Sequence, residues 1–273
     1  MNGLAGKNVL VTGGSSGIGQ AIAIRMGEEG ANVAINYLSD RDEAEVTAEK
    51  IEEGITHCRE RIEACGQQIV LIQADVSKEE DVERMFREAY NGLGGIDILI
   101  NTAGIQIVGD SHAIAVGKFT KVIEVNLFGA FMCAQQAIRH FLAEGKPGVI
   151  INVSSVHQII PKPRFVGYAA SKGGKENLTR TLALEYAGRG IRVNGIGPGA
   201  TITPINRAWV EDPEKKELVE SHIPMGRAAT AEEMAAVTAF LCSDDAAYIT
   251  GQTLFVDGGL TLYPDFRTAW SSE

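Results

Sequence analysis

Short apolar runs alternate with longer amphipathic stretches along nearly the whole chain. The runs at 8–12, 32–37, 69–73, 96–100, 149–153, 192–196 and 253–256 are rich in Val, Ile and Leu, and read as strands covered on both faces. Between them, 18–29, 42–65, 118–142, 167–187 and 231–241 repeat their apolar positions with a helical period. The charged stretch 42–65 is expected to break near Gly54. Ser77, with Glu80 three residues on, predicts a capping box for the helix after the third strand. Apolar strands separated by crossover helices predict an α/β fold, a doubly wound, mostly parallel seven-stranded sheet with helices on both faces. No linker, repeat or low-complexity tract divides the 273 residues, so one domain is expected over 1–273. Only 204–225, irregular and charged, interrupts the alternation, and it is the candidate substrate lid.

Composition narrows the function classes. The 25 Lys and Arg against 35 Asp and Glu leave a net charge of −10, which argues against nucleic acid or an anionic membrane as the main partner. No apolar run approaches the ~20 residues that span a bilayer. The first residues lead straight into a strand without a signal-peptide core, so a cytoplasmic protein is expected. Cys58, Cys65, Cys133 and Cys242 are scattered and form no Cys-x-x-Cys, and the five His are dispersed, so neither a disulfide framework nor a metal site is expected.

The chemistry collects at the strand ends. Where the first strand gives way to a helix the chain reads Thr12-Gly13-Gly14-Ser15-Ser16-Gly17-Ile18-Gly19. Glycines here let a pyrophosphate approach backbone N–H groups and the positive end of the helix dipole. The Gly-x-x-x-Gly-x-Gly spacing departs from the commonest dinucleotide fingerprint, and alone it also fits a turn that holds no ligand. Asp75-Val76 follows the third strand and Asn101-Thr102-Ala103-Gly104 the fourth, at the edge where open α/β sheets bind ligands. Asp75 could accept from an adenine amino group or serve as a helix cap, and Asn101 could be a turn former. Ser154-Ser155 closes the fifth strand, alone no more than a surface turn. Tyr168 and Lys172 share one helix face, where an ammonium stabilises phenolate and so suits the tyrosine to general base work; an isolated pair of this kind is more often merely exposed. Asn126 is an amide in an apolar helical stretch, either bending the helix to hold a water or cross-linking it. Glycine turn, serine and Tyr/Lys pair, in that order, point to hydride transfer with a nicotinamide.

Together these residues, with Pro198-Gly199, resemble the short-chain dehydrogenase/reductase family over about 7–263, with its Rossmann-type fold. Ser154-Ser155-Val156-His157, Lys172-Gly173-Gly174, Thr203-Pro204-Ile205-Asn206 and Asp257-Gly258-Gly259 are similar to its glucose 1-dehydrogenase branch. The resemblance implies that Tyr168 is the base, that Lys172 lowers its pKa and binds the nicotinamide ribose, that Ser155 holds the reacting oxygen, and that Asn126 anchors a relay water. It implies a cofactor site of Gly13, Ser15, Ser16, Gly17, Ile18, Gly19, Tyr37, Leu38, Ser39, Asp75, Val76, Asn101, Ala103, Gly104, Tyr168, Lys172, Pro198, Gly199, Ile202 and Thr203, with Thr203 on the carboxamide. Gln106, Ser155, His157, Tyr168 and Asn206 would face a polar, sugar-like small molecule.

Thr102 stands where the family usually has a second Asn, and Gln106 where the glucose branch has Glu. Extra residues between 51 and 68 are expected to be a surface elaboration far from the chemistry. No carboxylate ends the second strand, where the chain reads Asn36-Tyr37-Leu38-Ser39, so nothing there repels a 2′-phosphate, and Ser39 and Arg41 could assist one. Use of both NADP and NAD is expected, with a slight lean to NADP. The helices at 118–142 and 167–187 resemble the family's interface helices, which implies a homotetramer with the tail 260–266 near a neighbouring subunit. The expected function is that of an NAD(P)-dependent dehydrogenase of a sugar such as glucose. The alternatives are a reductase of ketones or 3-oxoacyl thioesters, and a silent nucleotide-binding protein; the latter would be expected to lose Tyr168, Lys172 or Ser155.

Overall fold

The computed structural model of the protein describes residues 1–38 and 44–262. Strands β1 (Asn8–Thr12), β2 (Asn32–Tyr37), β3 (Ile69–Gln73), β4 (Ile98–Asn101), β5 (Gly148–Val153), β6 (Ile191–Pro198) and β7 (Thr253–Val256) form one sheet in the order β3-β2-β1-β4-β5-β6-β7. Every neighbouring pair is parallel. The chain moves outward from β1 to β3 on one side and then returns to build β4 to β7 on the other. The carboxyl ends of β1 and β4 therefore flank the point where winding reverses, the position at which open α/β sheets bind ligands.

The long helices are α1 (Gly17–Glu28), α2 (Ala44–Ala64), α3 (Glu79–Leu93), α4 (Val116–Ile123), α5 (Gly129–Ala143) and α6 (Val166–Tyr186); the short α7 (Arg207–Val210) and α8 (Pro213–Ser221) precede α9 (Ala231–Cys242). Alternate strand residues feed two cores. Val9, Val11, Val33 and Ile35 pack with α1, α2 and α9 on one face, while Leu10, Leu99, Ile150 and Val193 pack with α3, α5 and α6 on the other. That double burial is why the strands read as unbroken apolar runs.

Four details differ from the sequence reading. The helix expected over 118–142 is two helices, α4 and α5, joined by the π-helical turn Glu124–Phe128. Ser77 does not cap α3; its hydroxyl donates to Asp75 Oδ1 at 2.6 Å, and three acidic residues in the first turn of α3 complement the dipole instead. The capping box lies at α9, between Thr230 and Glu233. The lid stretch 204–225 is ordered as a 3-10 turn, Pro204–Asn206, followed by α7 and α8.

Fourth, α2 runs through Gly54 without a break, and it is not remote from the glycine turn. A Cβ at Gly54 would lie 2.1 Å from the Ser15 carbonyl oxygen, so only glycine lets the helix approach this closely. The Gln20 amide donates to both Ser15 O (3.3 Å) and Gly54 O (3.0 Å), and the Cys58 thiol to Gly14 O (3.7 Å). Close packing outweighs the ~1 kcal/mol helix penalty of glycine. The longer α2 region thus buttresses the glycine turn.

Candidate active site

The glycine turn is held from two sides by side chains that sequence reading did not single out. Buried Asn36, at the end of β2, accepts from Gly13 N at 3.2 Å and donates to Ala74 O at 2.9 Å, tying the turn to the end of β3. Thr12 Oγ1 accepts from Thr102 N (3.1 Å) and Ala103 N (3.2 Å), tying it to the loop after β4. Their only sequence signal is a polar residue at the carboxyl end of an apolar run.

Gly13 and Gly17 sit at φ +63° and +53°. A Cβ at Gly19 would lie 2.3 Å from Gly13 O, so the first turn of α1 closes tightly on the loop. Ser16, the N-cap residue, makes no side-chain cap, which leaves the first N–H groups of α1 without a side-chain acceptor. Such a terminus suits a pyrophosphate. Thr203 packs 3.4 Å from where a Gly17 Cβ would be, bringing the segment after β6 to the turn. Pro198 ends β6, and Gly199 N, just after it, donates to Val256 O at 3.0 Å. Ile202 is anchored through its N–H to Ala229 O and leaves its side chain exposed.

A cleft of about 440 Å³ lies at the ends of β2 and β3, lined by Tyr37, Leu38, Asp75, Asp81, Arg84 and Glu88 among others. Asp75 Oδ1 accepts from Ser77 N (2.9 Å) and Oγ (2.6 Å). Arg84 pairs with Asp81 (2.7 Å) and Glu88 (3.2 Å) and donates to Gln73 O. Ser39 and Arg41 lie outside the described residues.

Asn101 and Val76, both in the expected cofactor set, have buried side chains. Asn101, 2% exposed, donates to Asn152 Oδ1 (3.0 Å) and Ala130 O (3.2 Å). Asn152 donates in turn to Thr179 Oγ1 at 2.9 Å. Asn101 thus heads a buried polar row across β4, β5 and α6, and what it offers at the point where winding reverses is backbone.

The residues expected to react meet where β5 ends beside α6. Ser155, in extended backbone, accepts from His157 N at 3.2 Å and hydrogen-bonds the Tyr168 phenol. Tyr168 sits edge-on to His157 (ring centroids 6.1 Å, 78°) and to Phe165 (6.3 Å, 82°). Burial holds the Tyr168 phenol above its ordinary pKa, opposed by the Ser155 hydrogen bond. Lys172 Nζ lies 5.3 Å from the Tyr168 ring centroid and donates to Val153 O at 3.0 Å. Lys172 thus bonds the Val153 carbonyl and not the phenol, and the phenol is shifted upward, against the expectation that Lys172 lowers it. Burial first, and then the charge of Lys175, push Lys172 well below the usual lysine range.

Asn126 occupies the π-turn and is fully buried. Its Oδ1 accepts from Ile105 N at 2.8 Å, and its Nδ2 donates to Ile105 O at 2.9 Å and Ser171 Oγ at 3.1 Å. The extra residue of a π-turn swings the amide off the α-helical register into this position. It locks the loop after β4 onto α6, one residue from Lys172. A Cβ at Gly104 would lie 3.3 Å from Asn126 Oδ1 and 3.8 Å from Lys172 Nζ, so these groups close around one point.

The expected substrate residues are partly committed. Gln106 Nε2 donates to Ile205 O at 3.3 Å, and Asn206 Nδ2 to Thr201 O at 2.8 Å. His157 Nδ1 faces Ile160 O at 3.0 Å, and burial lowers its pKa. A carbonyl can only accept, so Nδ1 carries the proton and the neutral ring keeps Nε2 as an acceptor. Among the described residues no cluster of His, Cys, Asp or Glu could hold a metal ion, and no helix is long and apolar enough to cross a membrane.

A family model described as enoyl-(acyl carrier protein) reductase matches residues 13–261. The chain is 48% identical to a glucose 1-dehydrogenase of Gluconobacter oxydans, covering 98% of this chain and 97% of that one. It is 51% identical to 3beta-hydroxysteroid dehydrogenase 1 of Eggerthella lenta, with 97% of each covered. A crystal structure from Agrobacterium tumefaciens, described as a 2-deoxy-D-gluconate 3-dehydrogenase with bound NADP, superposes with a TM-score of 0.84 at 31% identity, over 95% of this chain and 98% of that one. With a parallel seven-stranded sheet, a glycine turn at its switch point and relatives matched end to end, the chain belongs to the short-chain dehydrogenase/reductase family, NAD(P)-dependent oxidoreductases that act on CH–OH groups.

Proposed function

We propose that this protein oxidises a hydroxyl of a sugar-like substrate, or reduces the matching carbonyl, as a soluble, cytoplasmic enzyme of one catalytic domain. The observation that carries the reading is the meeting of Ser155, Tyr168, Lys172 and Asn126 at the end of β5, beside the loops that close the switch point. Ser155 donates to the reacting oxygen. Tyr168 takes the alcohol proton as base and returns it in the reverse direction. Lys172 supplies positive potential and bonds the ribose, and Asn126 holds the loop and a relay water in register with α6. The nicotinamide, when bound, supplies the hydride acceptor or donor. The uncapped start of α1 holds the pyrophosphate, Tyr37 and Leu38 the adenosine ribose, Asp75 the adenine, and Thr203 the carboxamide.

His157 Nε2, an acceptor on a neutral ring, suits a polyhydroxylated substrate, and the 48% identity to a glucose 1-dehydrogenase supports that class. A second reading, an alcohol on an apolar ring system, draws on exposed Val108, Ile159, Ile202 and Ile205, which adjoin Gln106, His157 and Asn206 in the chain, and on the 51% identity to a hydroxysteroid dehydrogenase. Both cofactors are used, with a slight lean to NADP. No carboxylate ends β2 within the described residues, and Arg84 at the cleft rim is already committed to two carboxylates.

A panel of sugars, polyols, hydroxysteroids and 3-oxoacyl thioesters, run with each cofactor and followed by nicotinamide absorbance, tests the reading. Tyr168→Phe should cut turnover roughly 10²–10⁴-fold while nucleotide binding persists. Turnover of Tyr168→Phe within tenfold of the parent, roughly, would remove the base assignment.

A further inference from the structure

Lys175 lies one turn beyond Lys172 on α6 and is 0% exposed, against 4% for Lys172. Both ammonium nitrogens point at one acceptor. Lys172 Nζ is 3.0 Å and Lys175 Nζ 3.5 Å from the carbonyl oxygen of Val153, the last residue of β5. The two nitrogens are therefore no more than about 6.5 Å apart. No carboxylate of the described residues forms an ion pair with either. From α5, Cys133 faces Lys175, but burial pushes that thiol up to about 12, so it supplies no counter-charge near neutral pH. From β5, Asn152 reaches Thr179 Oγ1, which donates to Lys175 O, and both are neutral. Tyr168, on α6, is the titratable group beside Lys172, and His157, from the 3-10 turn after β5, lies edge-on to Tyr168 and is held neutral by burial.

We propose that Lys175 is a positioning residue for the reaction: sharing the Val153 carbonyl with Lys172, its charge expels a proton from the Tyr168–Lys172 pair and so sets the pH at which the base becomes competent. The inference rests on the catalytic reading of Tyr168 and Lys172. Its direction does not depend on which member of the pair holds the last proton. Phenol with neutral amine and phenolate with ammonium have lost the same single proton, and a positive charge on Lys175 favours that loss in either case. Lys175 itself titrates near 8, lowered by burial, so it carries charge through neutral pH and releases it in the alkaline range. The proton expelled from the pair passes to solvent in the free enzyme, and in turnover the vacancy it leaves accepts the alcohol proton.

The test is the pH dependence of kcat for alcohol oxidation in the wild type, Lys175→Met and Lys175→Arg. Two charges at that outer separation, at an effective dielectric constant of ~20, shift one another by about two pH units, and partial neutralisation of Lys175 leaves roughly half a unit or more. Lys175→Met should therefore move the alkaline rise in rate upward by about 0.5–2 pH units. Lys175→Arg, which keeps its charge at every pH, should leave the rise at or below its wild-type position. The neutral Lys175→Gln should match Lys175→Met, so the inference does not hang on one variant folding. A merely structural lysine would alter stability or the overall rate but leave the midpoint in place. Midpoints of both neutral variants within about 0.3 pH units of wild type would overturn the inference, as would an Arg variant that moves upward with them. Failure of the base assignment is distinguishable, because it appears as activity surviving in Tyr168→Phe.

Discussion

Removing the Asn126 side chain should separate the loop after β4 from α6. Alanine at this position loses three hydrogen bonds and orphans the Ile105 N–H and carbonyl that the amide serves together. At about 1 kcal/mol for each bond, Asn126→Ala should cost roughly 3 kcal/mol. In a domain of this size that corresponds to a fall of roughly 6–12 °C in melting temperature. Circular dichroism melts at fixed protein concentration measure it. Asn126→Asp refines the test, because an ionised carboxylate still accepts from Ile105 N but repels Ile105 O. Its stability should be low at neutral pH and recover as acid protonates the carboxyl, which can then donate to that carbonyl. An Asn126→Ala melt within about 2 °C of wild type would show that the loop does not depend on this amide.

Cofactor choice, pH and assembly give three more measurements. Tyr37→Asp should favour NAD by accepting from a ribose 2′-OH and repelling a 2′-phosphate, while Leu38→Arg should favour NADP. With each new charged contact worth roughly 1.5–3 kcal/mol, the kcat/KM ratios should move at least tenfold apart, and ratios within about threefold of wild type would displace the adenosine ribose from the end of β2. Lys175 titrates near 8 in the fold and near 10.5 when unfolded, so between those values the unfolded chain holds a proton that the native chain has released. Stability should rise with pH across that window by up to about 3 kcal/mol, and this component should vanish from urea titrations of Lys175→Met; an unchanged pH slope would contradict it. The exposed Phe128, Phe131 and Leu184, on the π-turn, α5 and α6, should be covered in a homotetramer, and light scattering that finds a monomer at micromolar concentration would refute this.

The strands, and the closeness of Ser155 to Tyr168, were legible because their signals are local. Seven apolar runs fell on seven strands, and Ser155, Tyr168 and Lys172 met as their spacing implied. What escaped the sequence were features decided by close approach between distant segments. A glycine in a charged helix reads as a break, yet Gly54 is there because Ser15 O leaves no room for a Cβ. A single π-turn does not disturb the apolar period enough to show, although it is what aims Asn126. Ser77 and Glu80 have capping-box spacing, but Asp75 captures the serine first. Asn36, Asn101, Asn152 and Thr179 are each an isolated polar residue, and only the fold links them into buried supports. The expected substrate residues were least legible, because Gln106 and Asn206 bond the backbone carbonyls of Ile205 and Thr201, partners that no pattern announces. The tail call over 260–266 lies largely outside the described residues, which end at Leu262.

Two buried lysines without a carboxylate between them are an expensive arrangement for a fold to keep. Burying an unpaired ammonium is unfavourable, and an apolar side chain of similar volume in its place is often neutral or stabilising. The Lys175 side chain faces a thiol and touches no solvent, so packing alone would favour methionine or leucine there. Lys172 has a reason to bear its cost, since the reaction wants positive potential beside Tyr168. Lys175 bears a similar cost one turn deeper, and its nearest polar contact is the carbonyl that Lys172 uses. Stability therefore does not explain it, whereas a second charge acting on the first does. In a dry site the effect of that charge is screened least. A residue that never meets the substrate can thus govern the pH at which the base acts, and the lysine that breaks the packing rule is the one through which that control runs.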